Sequence, residues 1–462
     1  MLARFEVSQS RITYVNRHRY VQAHQLLSDG GGSERLPLFR GAWCWPRAWA
    51  RLVAGCTENR RVRILYAHSF YRIPGGEDET FADEIHLMRE RGYDVDTFET
   101  SSKTLEGQSR LKAGIAGVWS TRAARAIRAR IAAHRPDVVH VHNVYPVMSP
   151  AVFRAAAAEG VAVVHTLHNY RLLCSHAGLY YRGGVCEVCI GAVAPWHGVL
   201  RGCNNNGRAA DAQIAVTVAI HRAAGTWARS IDRYIALTTL ARDIFVRGGL
   251  PATRIAVLPT FVDPDPGIGP GDGGYALFIG RLTVEKGVRV LLDAWRECGA
   301  RVPLKIVGSG PLAEEVAAAA STIPGVAFMG RVSREVLTDL TRRASFLLFP
   351  SVWYEGTPRT IAEAFAAGTP VIASDIGAMR SMVQPGENGQ WFKAGDAIDL
   401  ARVASTLSND PEGCAALRLG ARRAFEAHYS AARHFEGLAT IYRAAIEQRR
   451  GIHVARTAEA QQ

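Results

Sequence analysis

Short β-rich segments alternate with helical segments from residue 62 onward, and this alternation constrains the fold more than any other feature of the chain. The run VRILYAHS leads through a loop into ETFADEIHLMRERG, which carries Phe81, Ile85 and Met88 at helical spacing, and YDVDTFE follows as the next β-rich run. An order of strand, helix and strand is typical of a parallel sheet, because a crossover must return the chain to the starting edge. The runs PDVVHVHN, VAVVHTLHN, RYIALTT and RIAVLPTFVD continue the alternation.

The alternation is interrupted by DPDPGIGPGDGG, whose glycines and prolines present no core-facing period and indicate a linker. Five more β-rich runs follow, YALFIGRL, PLKIVGSG, VAFMGR, SFLLFPS and TPVIASD, each with a helical stretch after it. We therefore predict an α/β protein with two Rossmann-like domains that face each other across a cleft. The predicted parts are an extension expected to be disordered (1–60), a first domain (61–262), the linker (263–274), a second domain (275–430), a helix that packs on one of the two domains (431–450) and a tail (451–462).

The composition excludes several classes of protein. The 462 residues are 48% hydrophobic and 21% charged, as in soluble globular proteins. The sequence shows no apolar run long enough to cross a membrane and no apolar leader at its start, so we expect a cytoplasmic protein. The net charge of +13 comes almost wholly from arginine, which fits either a genome rich in Arg codons or attraction to anionic partners such as nucleotide phosphates or a membrane surface. We expect no nucleic-acid partner.

The segment 101–135 is strongly basic, with eight Lys or Arg residues and one acid, Glu106. An apolar line from Ile115 through Trp119 to Ile131 predicts one amphipathic helix. Its basic face is either simply solvated or a contact with the inner membrane face, which would make the protein peripheral.

Two segments of the second domain carry residues suited to a diphosphate. FIGRLTVEKG places Gly280, Arg281 and Lys286 between a strand and the start of a helix. Ligands of open α/β sheets lie beyond the carboxyl ends of the strands, and helix N-termini favour anions there. The chain has only five lysines, so a lysine is less expected at this position by chance than in a lysine-rich chain. The sequence thus favours a diphosphate site over surface basic residues.

The stretch SVWYEGTPRTIAEAFAAG carries two acids, Glu355 and Glu363, around a helix start. We expect Thr357 as the N-cap, Pro358 at the first helical position and Gly368 beyond the end. The acids are either ordinary solvated side chains or carboxylates that hold sugar hydroxyls on both sides of a phosphate.

The first domain offers a second group of candidates. Gly75 and Gly76 follow the first predicted strand, where they form either a plain turn or a close backbone approach to a ligand. His140 and His142 end another strand, and we expect them to face opposite sides of the sheet, with one of them in the cleft. No GxGxxG motif follows the first strand of either half, which disfavours a dinucleotide-dependent oxidoreductase.

Four of the eight cysteines cluster in an insertion at 174–203. Two of them have CxxC spacing, and the others stand about a dozen residues to either side. This spacing suits tetrahedral thiolate coordination of zinc. Structural zinc and reduced free thiols both remain open, whereas a disulfide framework is disfavoured without a leader segment. The four cysteines are Cys174, Cys186, Cys189 and Cys203.

The motifs GRLTVEKG, SVWYEGTPRTIAEAFAAGTPVIASDIGAM and ENGQWFKAGD, together with PGGEDETFADEIHLMRERGYDV and HVHN…HTLHNYRLLC, resemble family 4 (group 1) retaining glycosyltransferases of GT-B fold, of the type that builds bacterial surface polysaccharides. The resemblance implies transfer of a sugar from a nucleotide-diphosphate donor to a glycan or lipid-linked acceptor, with no metal required for catalysis. It makes 61–262 the acceptor-side domain and 275–430 the donor-binding domain.

The resemblance also implies roles for individual residues. Glu355 would hold the transferred sugar and His142 would lie beside it at the reacting face. The donor-binding set would comprise Gly75, Gly76, Gly280, Arg281, Lys286, Gly356, Thr357, Pro358, Arg359, Thr360 and Glu363.

One position departs from the family pattern. Ser381 stands in GAMRSMV where such enzymes usually carry Glu, a change that would alter sugar selectivity or weaken activity. Two alternatives remain beside the transferase: a GT-B sugar-nucleotide epimerase, and a non-catalytic protein that binds nucleotide sugars, for which Ser381 is the only hint.

Overall fold

A computed structural model of the chain describes residues 62–72, 75–105, 109–204, 207–297 and 302–460. The extension 1–60, predicted to be disordered, lies outside the described residues. The described chain forms two parallel six-stranded sheets flanked by helices, as the strand and helix alternation predicts. No helix among these residues has the length and apolar character needed to span a bilayer.

The first domain is built on a sheet with strand order β2-β1-β3-β4-β7-β8, and a short β5–β6 hairpin stands apart from it. Its strands are β1 (Arg63–Phe70), β2 (Asp94–Ser101), β3 (Val138–Asn143), β4 (Ala162–Leu167), β5 (Tyr180–Tyr181), β6 (Gly184–Val185), β7 (Arg233–Ala236) and β8 (Ile255–Val257). Its helices are α1 (Gly76–Glu90), α2 (Arg110–Val118), α3 (Thr121–His134), α4 (Ala151–Ala158), α5 (Trp196–Arg201), α6 (Arg208–Ala223), α7 (Thr226–Arg229) and α8 (Thr239–Arg247), with 3₁₀ turns at Ser102–Leu105 and Ala252–Arg254.

The second domain has the strand order β11-β10-β9-β12-β13-β14, with every pair parallel. Its strands are β9 (Ala276–Ile279), β10 (Leu304–Val307), β11 (Val326–Gly330), β12 (Phe346–Phe349), β13 (Val371–Ser374) and β14 (Gly389–Phe392). Its helices are α9 (Val288–Glu297), α10 (Ala313–Thr322), α11 (Arg334–Arg343), α12 (Arg359–Ala366), α13 (Met379–Met382), α14 (Ala397–Ser408) and α15 (Pro411–His428).

The predicted basic helix is two helices. Its segment breaks at Trp119 and Ser120, and the Ser120 hydroxyl accepts a hydrogen bond from the Ala123 N–H to cap α3. The buried part of the apolar line lies on α3, at Ile127 and Ile131, whereas Ile115 on α2 is 62% exposed. The apolar residues continue at helical spacing through this point, but the cap formed by Ser120 starts a new helix there.

The last helix, α16 (Ala431–Ala460), returns to the first domain. Its Leu438 and Tyr442 are buried in one cluster with Ile64 and Tyr66 of β1. Helix α16 continues ten residues beyond the predicted end at 450, to Ala460. The end of the chain therefore completes the core of the first domain.

Candidate active site

A cleft of about 880 Å³ lies at the carboxyl ends of the strands of both sheets. This is where the topology of open α/β sheets places a ligand. Five carboxylates and five cations line the cleft, so a ligand there meets both hydroxyl acceptors and positive charge. The carboxylates are Glu77, Glu79, Glu285, Glu355 and Glu363, and the cations are Arg171, Arg281, Lys286, Arg334 and Arg359.

Lys286 and Glu355 form an ion pair at the floor of the cleft. The Lys286 ammonium donates to both carboxylate oxygens of Glu355, at 2.7 and 2.9 Å, and the Ser351 hydroxyl donates to the same carboxylate at 2.5 Å. The loops after β9 and β12 meet here because Gly287, with φ +71°, lies against the carbonyl of Pro350, where a Cβ would come within 1.8 Å of the oxygen. The predicted lysine and acid are therefore brought into direct contact.

Arg281 is a cleft cation that is not engaged by a carboxylate of the described residues. Its side chain is exposed. Arg334 donates to the backbone carbonyl of Asp263 at 3.3 Å, whereas Lys286 is engaged with Glu355. A bound diphosphate would thus find Arg281 without a competing carboxylate.

The N-terminus of α12 opens into the cleft without a side-chain cap. The N-cap is Pro358, so the prediction of Thr357 as N-cap was wrong by one residue, while Gly368 lies beyond the helix end with φ +66° as expected. The Thr357 hydroxyl is buried, lines the cleft and has no hydrogen-bond partner. A proline side chain cannot accept a hydrogen bond, so the backbone N–H groups in the first turn of α12 can bind an anion.

Arg359 joins α12 to the first domain. Its guanidinium lies 3.1 Å from Glu363 on its own helix and 2.7 Å from Asp83 on α1. Burial raises the pKa of Glu363, and the Arg359 charge partly offsets this shift. The contact between Arg359 and Asp83 holds the two walls of the cleft together on this side.

Glycines form part of the opposite wall. Gly75 and Gly76 line the cleft, and a Cβ at either would meet no atom within 4 Å, so the space above them is open to a ligand. Gly356 approaches the first domain so closely that a Cβ would come within 2.5 Å of the His168 carbonyl oxygen. Gly280 and Thr360 also line the cleft.

His142 lies behind the cleft wall instead of in it. It is buried, and its Nδ1 lies 2.9 Å from Nε2 of His168, which itself lines the cleft. Burial lowers the pKa of His142 to about 3, so its ring is neutral in the folded protein. The structure therefore gives His142 access to the cleft only through His168.

The expectation that His140 and His142 face opposite sides of the sheet was wrong. Residues two apart on a strand share a face, and both rings lie near the buried carboxylate of Glu84, at 3.0 and 3.3 Å. His434 of α16 also contacts Glu84, at 3.1 Å.

The atoms of Glu84, His140 and His142 are close enough together to suit a metal. Each nevertheless has a protein partner. His140 contacts the hydroxyls of Tyr442 and Thr166, both at 2.8 Å. The cluster therefore packs as a hydrogen-bonded network that joins α1, β3 and α16.

Sequence reasoning missed most cleft residues of the first domain, among them Tyr71, Glu77, Asn169 and Arg171. Asn169 donates to Glu77 at 3.4 Å, and the Arg171 guanidinium lies over the ring of Tyr71. Burial and the neighbouring Asp78 raise the pKa of Glu77 to about 7. The signal was present in the sequence, because His-Asn follows β4 at 168–169 just as it ends β3 at 142–143.

Ser381 lies on α13 and is exposed, with its hydroxyl donating to the Ala378 carbonyl at 2.8 Å. It does not line the cleft. The missing carboxylate therefore leaves the Lys286 and Glu355 pair intact.

The four cysteines of the insertion line one small cavity together. All four are free thiols in the structure. This small cavity is separate from the main cleft. The loop between Cys174 and Cys186 nevertheless lines the main cleft with His176, Ala177 and Gly178.

Two family models match consecutive parts of the chain. "Glycosyltransferase Family 4" matches residues 74–266 and "Glycosyl transferases group 1" matches residues 273–410. The chain belongs to the family 4, group 1 glycosyltransferases. The matched segments correspond to the two domains that face the cleft.

Similar proteins include a sequence relative and solved structures that share the fold. A phosphatidyl-myo-inositol mannosyltransferase of Mycobacterium leprae is 27% identical over 369 residues, which are 76% of this chain and 88% of the relative. Sucrose-phosphate synthase from Thermosynechococcus elongatus superposes with a TM-score of 0.61 at 18% identity, covering 83% of this chain and 98% of that one. Anabaena HepE in complex with UDP superposes with a TM-score of 0.58 at 17% identity, covering 82% and 99%. The glycosyltransferase thus has the GT-B fold.

Proposed function

We propose that this glycosyltransferase moves a hexose, with retention of anomeric configuration, from a nucleotide-diphosphate sugar to a glycan or lipid-linked acceptor in surface polysaccharide biosynthesis. The observation that carries the proposal is the meeting of Lys286, Glu355 and Arg281 in one cleft beside the uncapped start of α12. The epimerase and the non-catalytic alternative have no comparable support, because the family is one of transferases.

The donor fits the second-domain wall. Arg281 and Lys286 supply positive charge to the diphosphate, and the first turn of α12 presents backbone N–H groups to it. Glu363 accepts hydrogen bonds from the ribose hydroxyls, and Glu355 from hydroxyls of the transferred sugar. The similarity to a protein crystallised with UDP supports a nucleoside-diphosphate donor.

The reaction breaks the bond between the sugar C1 and the diphosphate oxygen and forms a bond between C1 and an acceptor oxygen on the same face. The acceptor proton passes to the departing diphosphate. The negative charge that develops on the diphosphate is stabilised by Arg281 and Lys286, and such preorganised charge is the largest catalytic contribution in many enzymes. His142 acts at the sugar through its hydrogen bond to His168.

A lipid-linked acceptor fits an apolar surface on the first domain. Helix α6 packs against both α2 and α5, and all three expose large apolar side chains. Lys112 and Arg208 are exposed on the same helices. An apolar patch with basic neighbours suits an anionic membrane surface. The exposed apolar residues are Ile115, Trp119, Trp196, Leu200, Val216 and Ile220.

A panel of UDP-, GDP- and ADP-sugars tests the donor. We expect one of them to raise the melting temperature of the full chain, and NMR of the product made with that donor to show the anomeric configuration of the donor. Folded protein that responds to none of these sugars would refute the proposal. Conversion of the donor into an epimeric nucleotide sugar without acceptor would instead favour the epimerase.

Vesicle flotation tests the membrane surface. The full chain should float with phosphatidylglycerol vesicles and not with phosphatidylcholine vesicles, and Leu200→Ser should weaken flotation. Leu419→Ser is the control, because Leu419 is 57% exposed on α15 of the second domain. Equal flotation of both variants with the unchanged protein would remove the patch from the proposal.

A further inference from the structure

The segment between Cys174 and Gly207 has almost no apolar core of its own. Leu179 and Ala194 are buried, whereas Val193, Trp196 and Leu200 are 65%, 45% and 74% exposed. Among its described residues, the strands are limited to the two-residue pair β5 and β6. Segments of this size that lack a core are usually held by a disulfide or a metal, and the cysteines here are free thiols.

The chain nevertheless converges around the thiols. The Cys186 N–H donates to the Leu179 carbonyl at 2.7 Å, which brings the end of the hairpin back to its start. Gly198 of α5 lies against the residue after Cys174, since a Cβ at Gly198 would come within 2.5 Å of the Ser175 hydroxyl. The Cys203 N–H donates to the Gly198 carbonyl at 3.1 Å. Three separate stretches of chain are thus drawn to one point.

A cationic side chain lies beside one of the sulfur atoms. The Arg201 guanidinium donates to the Cys186 sulfur at 3.6 Å. Donors aimed at sulfur stabilise the thiolate, which is the form that binds metals.

The cavity between the thiols has room for one ion. Its volume is about 10 Å³, close to that of a single water-sized centre. Among the described residues, the Glu84 cluster alone brings three ligand atoms within 4.8 Å of one another, so the sulfur atoms must close further around an ion.

We propose that Cys174, Cys186, Cys189 and Cys203 bind one Zn²⁺ as thiolates in a closed tetrahedral site with a structural role. Cys₄ sites without an open position are typical of structural zinc. On binding, Zn²⁺ displaces one proton from each of the four thiols, and no electron transfer is involved.

The zinc site would fix one wall of the active-site cleft. The loop that it closes carries His176, Gly178 and Tyr180, which face Trp353 of the second domain. A Cβ at Gly178 would come within 2.4 Å of the Trp353 ring, so the loop and the ring are in close contact. The metal would therefore hold the acceptor-side loop against Trp353, near the Lys286 ammonium, which lies 6.0 Å from that ring.

The metal content of the purified full chain tests the proposal without any substrate, so its failure is separate from failure of the proposed transferase activity. We expect about one zinc per chain by inductively coupled plasma mass spectrometry. Titration with a mercurial reagent should release that zinc as four thiols are consumed. Protein grown with Co²⁺ should show the visible absorption of tetrahedral cobalt thiolate.

Variants separate this site from other thiols and ligands. Cys189→Ser should lose most of the bound zinc and lower the melting temperature. Cys414→Ser, in the second domain, and His197→Ala, which lines the same cavity, should both retain the metal. Should Cys189→Ser fail to fold, the cobalt spectrum of the unchanged protein still decides. Folded protein without zinc, with thiols that react freely, or with iron and sulfide at these cysteines, would overturn the proposal.

Discussion

The Lys286 ammonium lies 2.7 and 2.9 Å from the two carboxylate oxygens of Glu355, and these residues come from loops that follow two different strands. The pair is enclosed, since the side chains of Lys286 and Glu355 are 23% and 7% exposed. The lysine thereby fixes the carboxylate that is proposed to hold the sugar, and it remains near the position proposed for the diphosphate.

Replacing Lys286 should therefore reduce catalysis. For Lys286→Met we expect kcat/KM to fall by roughly 10²–10³-fold, the usual loss when one preorganised charge is removed from a developing anion. Steady-state kinetics with the donor identified by thermal shift would measure it. Lys393→Met is the matched control, because Lys393 is exposed and distant from the cleft lining. Equal rates for the two variants would contradict the assignment of Lys286.

Glu363→Gln should weaken nucleotide binding while the protein stays folded. Each charge-assisted hydrogen bond to a ribose hydroxyl contributes about 1.5–3 kcal/mol, which corresponds to a roughly tenfold or larger rise in Kd. A ligand at 100 times its Kd stabilises a protein by about 2.7 kcal/mol, so thermal shift at fixed nucleotide concentration should show a reduced gain. Glu426→Gln, on the exposed side of α15, should keep the full gain. An undiminished shift for Glu363→Gln would remove Glu363 from the donor site.

The stability of the protein should depend on pH through Glu77. Burial and Asp78 raise its pKa to about 7, so the stability associated with its neutral form is complete below the unfolded value near 4.5 and is lost as the pH rises through 7. Glu77→Gln should accordingly be more stable than the unchanged protein at pH 8, by roughly 1–3 kcal/mol, and about equal to it at pH 5. Urea unfolding at both pH values measures this, with Glu90→Gln on the same helix as control. An equal gain in the free energy of unfolding at pH 5 and pH 8 would contradict the raised pKa of Glu77.

The Glu84 network should make the protein sensitive to acid. Burial alone would raise the pKa of Glu84, but His140 and His142 outweigh it and lower the pKa well below the usual range. Stability from this carboxylate is thus present above about pH 4.5 and lost as the pH falls through the folded value. His142, with its pKa lowered to about 3, adds a loss of stability that begins below about pH 6.5, because the unfolded ring binds a proton first.

Glu84→Gln tests the same network at neutral pH. Replacing the carboxylate disturbs the buried hydrogen bonds from Tyr66, His142 and His434, and each buried polar group left unsatisfied costs about 1–3 kcal/mol. Asp96→Asn breaks a more exposed pair with Arg130 and should cost at most about 1 kcal/mol. Denaturant unfolding measures the loss of unfolding free energy in both variants. Similar losses for Glu84→Gln and Asp96→Asn would show that the Glu84 network contributes little to stability.

Local sequence patterns predicted much of the fold. The alternation of β-rich and helical runs locates strands of both sheets, because each run shows its period within a few residues. It also places Arg281 and Lys286 beside Glu355, since the carboxyl ends of parallel strands meet at one edge. These inferences needed only the order of the elements.

Contacts between distant segments could not be predicted in this way. The pairing of Arg359 with Asp83 depends on how the two domains approach each other, and no local period encodes that distance. Whether His142 or His168 faces the cleft depends on the register of neighbouring strands, and β1 and β3 shift register at Ala67 and His68. Side-chain direction at a strand end is therefore a tertiary property.

The return of α16 to the first domain has a consequence for synthesis on the ribosome. The domain that emerges first lacks Leu438 and Tyr442 from its core, and Glu84 lacks His434, until α16 (Ala431–Ala460) has been translated. The second domain contains its own core and can complete it earlier. The nascent chain must therefore keep an apolar face of its first half covered by other means. A stop codon near residue 430 would release a first domain with an incomplete core.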